Sequence, residues 1–477
     1  MKKRSFIKSC AALGILSALA PMYCFSNGKT KYVSKRPPIN ERTFVSQTIE
    51  ELILKTKNSI DEAELAWLFE NCFPNTLDTT VDYEVINDKP DTFIITGDID
   101  AMWLRDSTAQ VWPYMPYIKK DITLKNLILG LINRQTNCIL VDPYANAFYK
   151  DLGRVSHWVS DKPSPINGVH ERKWEIDSLC YPIRLAHEYF NLTQDTTPFD
   201  AQWDKAMRLL VDTLRTEQRL DGSSPYTFGR ETTKHIDAAT FNGTGRPIKP
   251  TGLICSMFRP SDDATLYPFL IPSNVFAAIS LNQLAELYRG NNLDLDFAEE
   301  CSKFSEEITN AVHEHAVFEH LHFGKIYAYE IDGFGNKNFM DDANVPSLMS
   351  LAYLAPKLKS DPIYQNTRKF LLSEHNPYFL KGKAAEGQAS PHTGKSGIWP
   401  MGIILRAMTS DNNSEISKCL DMLQSTHAGT GFMHESFDKN DASNYTREWF
   451  AWANTLFGEL ILKVTNESPG LLSKNNS

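Results

Sequence analysis

Apolar residues recur with a helical period along most of this chain. Over residues 43–57, Phe44, Ile49, Leu52 and Ile53 share one face. The same rule predicts helices over residues 174–189, 199–217 and 273–289. In the last of these, Val275, Ile279, Leu284 and Leu287 form the stripe and Pro272-Ser273 supplies the start. Further helices are expected at 295–313, 345–354, 362–372, 398–408, 415–425 and 448–464. Strand signals are few: 81–86, 93–95, and a hairpin at 325–332 closed by Asp332-Gly333-Phe334-Gly335.

Helices that follow one another without alternating strands exclude a doubly wound sheet and a TIM barrel. Polar and aromatic residues cluster at 96–114, 167–178, 256–268, 339–347, 390–401 and 429–454. Each cluster lies near a loop that precedes a helix or joins a pair. Six such clusters among about twelve helices predict six helical hairpins closed into a ring. The expected fold is all-α: an (α/α)6 toroid with a few short β-hairpins, its clusters gathered at one end around a pocket.

The chain has 477 residues, 42% of them hydrophobic, which is enough for one large core. A net charge of −9 argues against a nucleic-acid or anionic-membrane partner, both of which call for clustered Lys and Arg. Lys2, Lys3 and Arg4 precede an apolar stretch from Ala11 to Ala20, too short to span a membrane. Residues 1–26 therefore read as a signal peptide for export to the periplasm or beyond. Lipid attachment at Cys24 is the alternative, although Pro21-Met22-Tyr23 fits a lipobox poorly. Residues 27–42 read as a linker or arm, and 43–477 as one domain. No CxxC pair occurs, and Cys72, Cys138, Cys180, Cys255, Cys301 and Cys419 are expected as buried thiols.

The stretch TGDIDAMWLRDSTAQVWPY mixes acids, an arginine and indoles in a way that suits a sugar. Arg105 and Asp106 can hold hydroxyls, and Trp103 can stack on a pyranose face. A buried ion pair that orients a loop is the plainer reading. NGVHERKWEIDSLCYPI sets Glu175 and Asp177 at a helix start, where acids are favoured by the helix dipole alone. Asp177, next to the run Leu179–Ile183, is expected to point inward. In SMFRPSDDATLYPFLIPSN, Asp262 and Asp263 follow Arg259 and are flanked by Met257, Phe258, Leu266, Tyr267 and Phe269. An apolar wall of that kind would raise a carboxyl pKa and make a general acid; a capping or calcium-binding Asp is the alternative. Asn344 lies before a helix start, and His392 lies on a Gly-rich turn. Glu435 sits in MHESF ahead of Arg447 and is a candidate general base. Two carboxyls facing across one dry pocket are the minimum for glycoside hydrolysis. No G-x-S-x-G, H-E-x-x-H or P-loop motif occurs, and twelve scattered histidines do not favour a transition-metal site.

Taken together, TGDIDAMWLRDSTAQVWPY, NGVHERKWEIDSLCYPI, FRPSDD with FLIPSN, and MHESF followed by REWFAWANTLFGEL resemble glycoside hydrolase family 125. The resemblance runs from about residue 43 to residue 464. It implies an (α/α)6 fold and an exo-acting, inverting α-1,6-mannosidase that needs no metal or other cofactor and takes terminal α-mannosides of glycans as substrate. It places the general acid at Asp262, with Asp263 as the alternative, and the general base at Glu435. Arg105 and Asp106 fall where the family grips the terminal mannose, with Trp103, Asp177, Arg259, Asn344, His392 and Arg447 as further substrate contacts. A polysaccharide lyase or a non-catalytic glycan binder are the rival readings.

Overall fold

Inner and outer helices alternate along the chain. The computed structural model describes residues 32–222 and 224–473, and among these the α-helices are α1 Gln47–Lys57, α2 Ala63–Cys72, α3 Asn75–Thr79, α4 Leu104–Val111, α5 Ile122–Val141, α6 Ile176–Thr193, α7 Ala201–Thr216, α8 Thr240–Gly243, α9 Ile271–Gly290, α10 Leu295–His315, α11 Leu351–Leu354, α12 Pro362–Leu371, α13 Pro400–Met408, α14 Asn413–Ser425 and α15 Ala451–Glu467. Helix α4 packs on α6, α6 on α9, α9 on α11, α13 on α15, and α15 back on α4. The gap between α11 and α13 is closed by Gly402, where an added Cβ would touch Ala343, and by Thr409, whose hydroxyl meets Met349 Sδ. Six inner elements thus form a closed ring. Helices α2, α5, α7, α10, α12 and α14 alternate with them in sequence and form the outer layer. The architecture is the (α/α)6 toroid.

Apart from outer helix α2, whose Glu62 makes no side-chain cap, the two layers begin differently, and the difference positions the site. Outer helices α5, α7, α10, α12 and α14 start at Asp121, Asp200, Asp294, Asp361 and Asn412, each side chain accepting backbone N–H groups of the first turn. Inner helices α4, α6, α9, α13 and α15 start at Trp103, Glu175, Leu270, Trp399 and Phe450 with no side-chain cap. Their amide-rich, partially positive ends are held instead by short antiparallel ribbons. Met102–Trp103 pairs with Ala147–Phe148, Phe269–Leu270 with Glu330–Ile331, and Gly397–Ile398 with Ser436–Asp438.

The helical periodicity was informative, with exceptions. The helix expected at 345–354 shrinks to Leu351–Leu354, because Asp341 accepts the amides of Leu348 and Met349 and ties that stretch into turns. The strand expected at 93–95 is Lys89–Ile94, paired with Val81–Ile86. The hairpin at 325–332 is two hairpins. Val317–His320 pairs with Gly324–Tyr327, and the Asp332–Gly335 turn joins Glu330–Ile331 to Lys337–Asn338. Helices α2, α4 and α5 carried no expected element.

The described residues from 34 onward form one compact unit, so part of the expected linker belongs to the body. Arg36 bonds Asp78 at 2.7 Å and Glu50 at 2.5 Å, and Asp78 is 2% exposed. Arg36→Ala would strand a buried carboxylate with only Arg42, 3.4 Å away, to share. The expected loss is about 3 kcal/mol of stability, seen as a midpoint of thermal unfolding several degrees lower. The signal region and Cys24 lie outside the described residues. The six described cysteines are free and buried. Among the described residues no helix is long and apolar enough to cross a membrane.

Candidate active site

The uncapped inner helix ends surround one recess of about 390 Å³, its open mouth included. Trp103, Arg105 and Asp106 enter it from the start of α4, Asp262 from the loop before α9, and Asn344 from the segment before α11. Trp399 comes from the start of α13, while Glu435, Arg447, Phe450 and Trp452 come from the approach to α15. Helices α9 and α15 stand opposite each other in the ring, so Asp262 and Glu435 reach the same recess from opposed loops.

Arg105 organises one wall. It is 3% exposed and touches four carboxyls: Glu175 at 2.6 Å, Asp262 at 3.1 Å, Asp177 at 3.2 Å and Asp106 at 3.3 Å. Asp262 sits at the tip of a tight turn, between the bridged residues Phe258 and Ala264, with φ +65°. That left-handed conformation is one an Asp adopts more readily than most residues. Lys173 Nζ fixes the turn by donating to the Asp262 carbonyl at 2.8 Å, and Asn146 Nδ2 donates to Asp262 Oδ1 at 3.2 Å. The expected apolar, pKa-raising wall is therefore absent around Asp262. Burial alone would push its carboxyl up, but Arg105 and Lys173 override this and hold it well below the usual range. The flanking apolar side chains Met257, Phe258 and Phe269 turn into the core instead. Its neighbours are raised instead: desolvation pushes Asp106 up, Asp177 up to about 6, and the fully buried Glu175 far up, against Arg105 and with the help of Asp262.

The other wall is built by the ribbon before α15. Glu435 precedes the strand Ser436–Asp438, and Arg447 Nη1 lies 3.6 Å from its Oε1. Arg447 also donates to the Thr96 carbonyl at 2.9 Å and pairs with Asp98. Gly97 has φ +96° and would put a Cβ 3.3 Å from the Trp449 ring, so the turn at Thr96–Gly97 requires glycine. His392 Nδ1 meets Asp263 Oδ1 at 2.9 Å. Burial pulls His392 down, yet Asp263 and Glu435 outweigh it and raise its pKa.

Of the residues singled out in the sequence, Asp262, Glu435, Trp103, Arg105, Asp106, Asn344, His392 and Arg447 line the recess together. Asp263 is 1% exposed and stands behind His392. Asp177 stands behind Arg105. Arg259 turns away to Glu330 at 2.7 Å, under the floor. Glu175, Asn146 and Lys173 were missed as parts of this wall, as were Thr96 and Trp399. The signal for Glu175 was available: an acid set between Trp174 and Ile176 with Leu179 close by belongs to a core, not to a solvated first turn.

Comparison with known proteins fits this geometry. The profile of a family described as metal-independent alpha-mannosidase, glycoside hydrolase family 125, matches residues 62–462. The "Meiotically up-regulated gene 157 protein" of the fission yeast Schizosaccharomyces pombe is 40% identical over 470 residues, covering 95% of this chain and 92% of its own. A solved metal-independent alpha mannosidase from Streptococcus pneumoniae, in a non-productive complex with α-1,6-mannobiose, is 39% identical with a TM-score of 0.84. It covers 88% of this chain and 99% of its own. Joined to a toroid whose inner helix ends present acids, an arginine and indoles to one recess, these matches lead to one conclusion: the chain belongs to glycoside hydrolase family 125, the metal-independent α-mannosidases.

Proposed function

We propose that this α-mannosidase is exo-acting, inverts the anomeric centre and prefers α-1,6 linkages at the non-reducing end of glycans. The observation that carries the reading is the delivery of Asp262 and Glu435 to one recess by opposed loops. The recess ends on the Arg105 network inside the ring, which supports removal of a terminal unit. Trp103 Nε1 is buried without a hydrogen-bond partner in the protein, and Asp106 Oδ2 has only the Arg105 ion contact at 3.3 Å. A sugar hydroxyl would satisfy the indole N–H, and an unmet buried polar group is costly otherwise. Trp399, Phe450 and Trp452 offer apolar faces to the ring. The linkage preference draws support from the disaccharide bound by the pneumococcal protein.

In this reading the glycosidic C1–O bond breaks as Asp262 gives a proton to the departing oxygen. Glu435 takes a proton from the water that attacks C1 on the opposite face. Charge in the oxocarbenium-like state is met by the carboxylates around Arg105. A panel of α-1,2-, α-1,3-, α-1,4- and α-1,6-linked mannobioses, followed by proton NMR from the first turnover, tests it. The expected result is cleavage of the α-1,6 isomer fastest, with β-mannose appearing before mutarotation. First release of α-mannose would overturn inversion, and no mannose release from any isomer would overturn the hydrolase reading of this chain.

A further inference from the structure

Four carboxyls surround the single guanidinium of Arg105, and three of them are buried at or below 5% exposure: Asp106, Glu175 and Asp177. The other charges near this wall are committed. Lys173 Nζ bonds Asp237 at 2.5 Å and the Asp262 carbonyl. Glu171 bonds Arg230 at 2.8 Å. Across the recess His392 is held by Asp263, and Arg447 by Asp98 and Glu435. One positive charge does not balance three buried carboxylates and a fourth at the edge of the recess, so this wall retains a proton at neutral pH.

Its place follows from geometry. Glu175 has no exposed surface, whereas the Asp262 side chain is 24% exposed and opens into the recess. Arg105 holds Glu175 with Nη1 and Asp262 with Nη2, and Asn146 Nδ2 lies 3.5 Å from Glu175 Oε1 and 3.2 Å from Asp262 Oδ1. Arg105 and Asn146 thus each touch both carboxyls and hold them side by side. Glu175 Oε2 accepts from Arg105 and Ser178, which leaves Oε1 to carry the hydrogen.

We propose that Glu175 is a positioning residue that stores the proton of the acid and passes it through Asp262 to the leaving oxygen. The inference rests on Asp262 being the acid. As the C1–O bond breaks, its electron pair goes to the leaving oxygen; Glu175 hands its proton to Asp262, Asp262 passes that proton to the leaving oxygen, and both carboxyls end ionised. The attacking water gives its proton to Glu435. The cycle closes when Glu435 releases that proton to solvent and the pair regains one through the exposed Asp262. Such a donor keeps a depressed, substrate-facing carboxyl competent, because the pair and not either residue sets the titration. The low position of Asp262 and the high position of Glu175 agree with this division.

The test compares wild type, Glu175→Gln, Glu175→Asp and Asp262→Asn across pH on two substrates. α-1,6-Mannobiose needs its leaving oxygen protonated; α-mannosyl fluoride does not. Glu175→Gln is expected to lose about 10²-fold on the disaccharide at pH 7, to keep most of its rate on the fluoride, and to lose activity toward alkali at lower pH. Glu175→Asp, which withdraws the carboxyl by one methylene, is expected to move the alkaline limb the same way, and decides the matter if the Gln variant does not fold. An unmoved alkaline limb with equal losses on both substrates would overturn the role of Glu175. Asp262→Asn turning over the disaccharide at the wild-type rate would instead overturn Asp262 as the acid.

Discussion

Asp262→Asn is expected to abolish most hydrolysis of α-1,6-mannobiose while leaving the fold intact. Asn occupies the left-handed region as readily as Asp, so φ +65° is kept at no added cost. Its side-chain oxygen still accepts from Arg105 and Asn146. What is lost is the transferable proton, and general acid catalysis contributes about 10²–10⁴-fold. Steady-state rates on the disaccharide and thermal melts of the same preparation check both halves. A variant that melts like wild type and retains its rate would remove Asp262 from the chemistry.

Glu435→Gln carries the second large effect. The change preserves shape and a hydrogen-bonding oxygen beside Arg447, but the amide does not take a proton from water. A loss of about 10²–10⁴-fold is expected on both the disaccharide and the fluoride, since both need an activated water. That even loss separates a base from an acid, whose removal spares the fluoride. Near-wild-type turnover of either substrate would exclude Glu435 as the base.

Much of the toroid was legible because outer helices obey the one-face rule. Helix α7, with Trp203, Met207, Leu210 and Leu214 buried on one side, is such a case. Helix α5 was not legible, because apolar residues run almost around it. It packs on the Val81–Ile94 hairpin and on α6 and α7, and burial on several sides erases the period. Helix α4 failed for the opposite reason: its inward face lines the recess and is polar, so Arg105 and Asp106 mask the core pattern. Within the site, local sequence exposed clusters but not their partners. Arg105 and Glu175 are separated by 70 positions, and Arg105 and Asp262 by 157. The pKa expectation at Asp262 failed for the same reason, since the neighbours that decide it are remote in the chain.

Closure of the ring has a cost during synthesis. The amide of Asp61 bonds the carbonyl of Leu472, Asn454 bonds Asn75, and Cys72 meets Gly431, 359 positions later. Helix α2 packs on α1 but also on α14 and α15, so part of its apolar surface is not covered until the last helices leave the ribosome. At ordinary translation speeds that is a wait of roughly 20–80 s. An apolar surface open for so long invites chaperones, and a chain cut short before α15 would carry Asp262 and Glu435 yet have no sealed ring in which to use them.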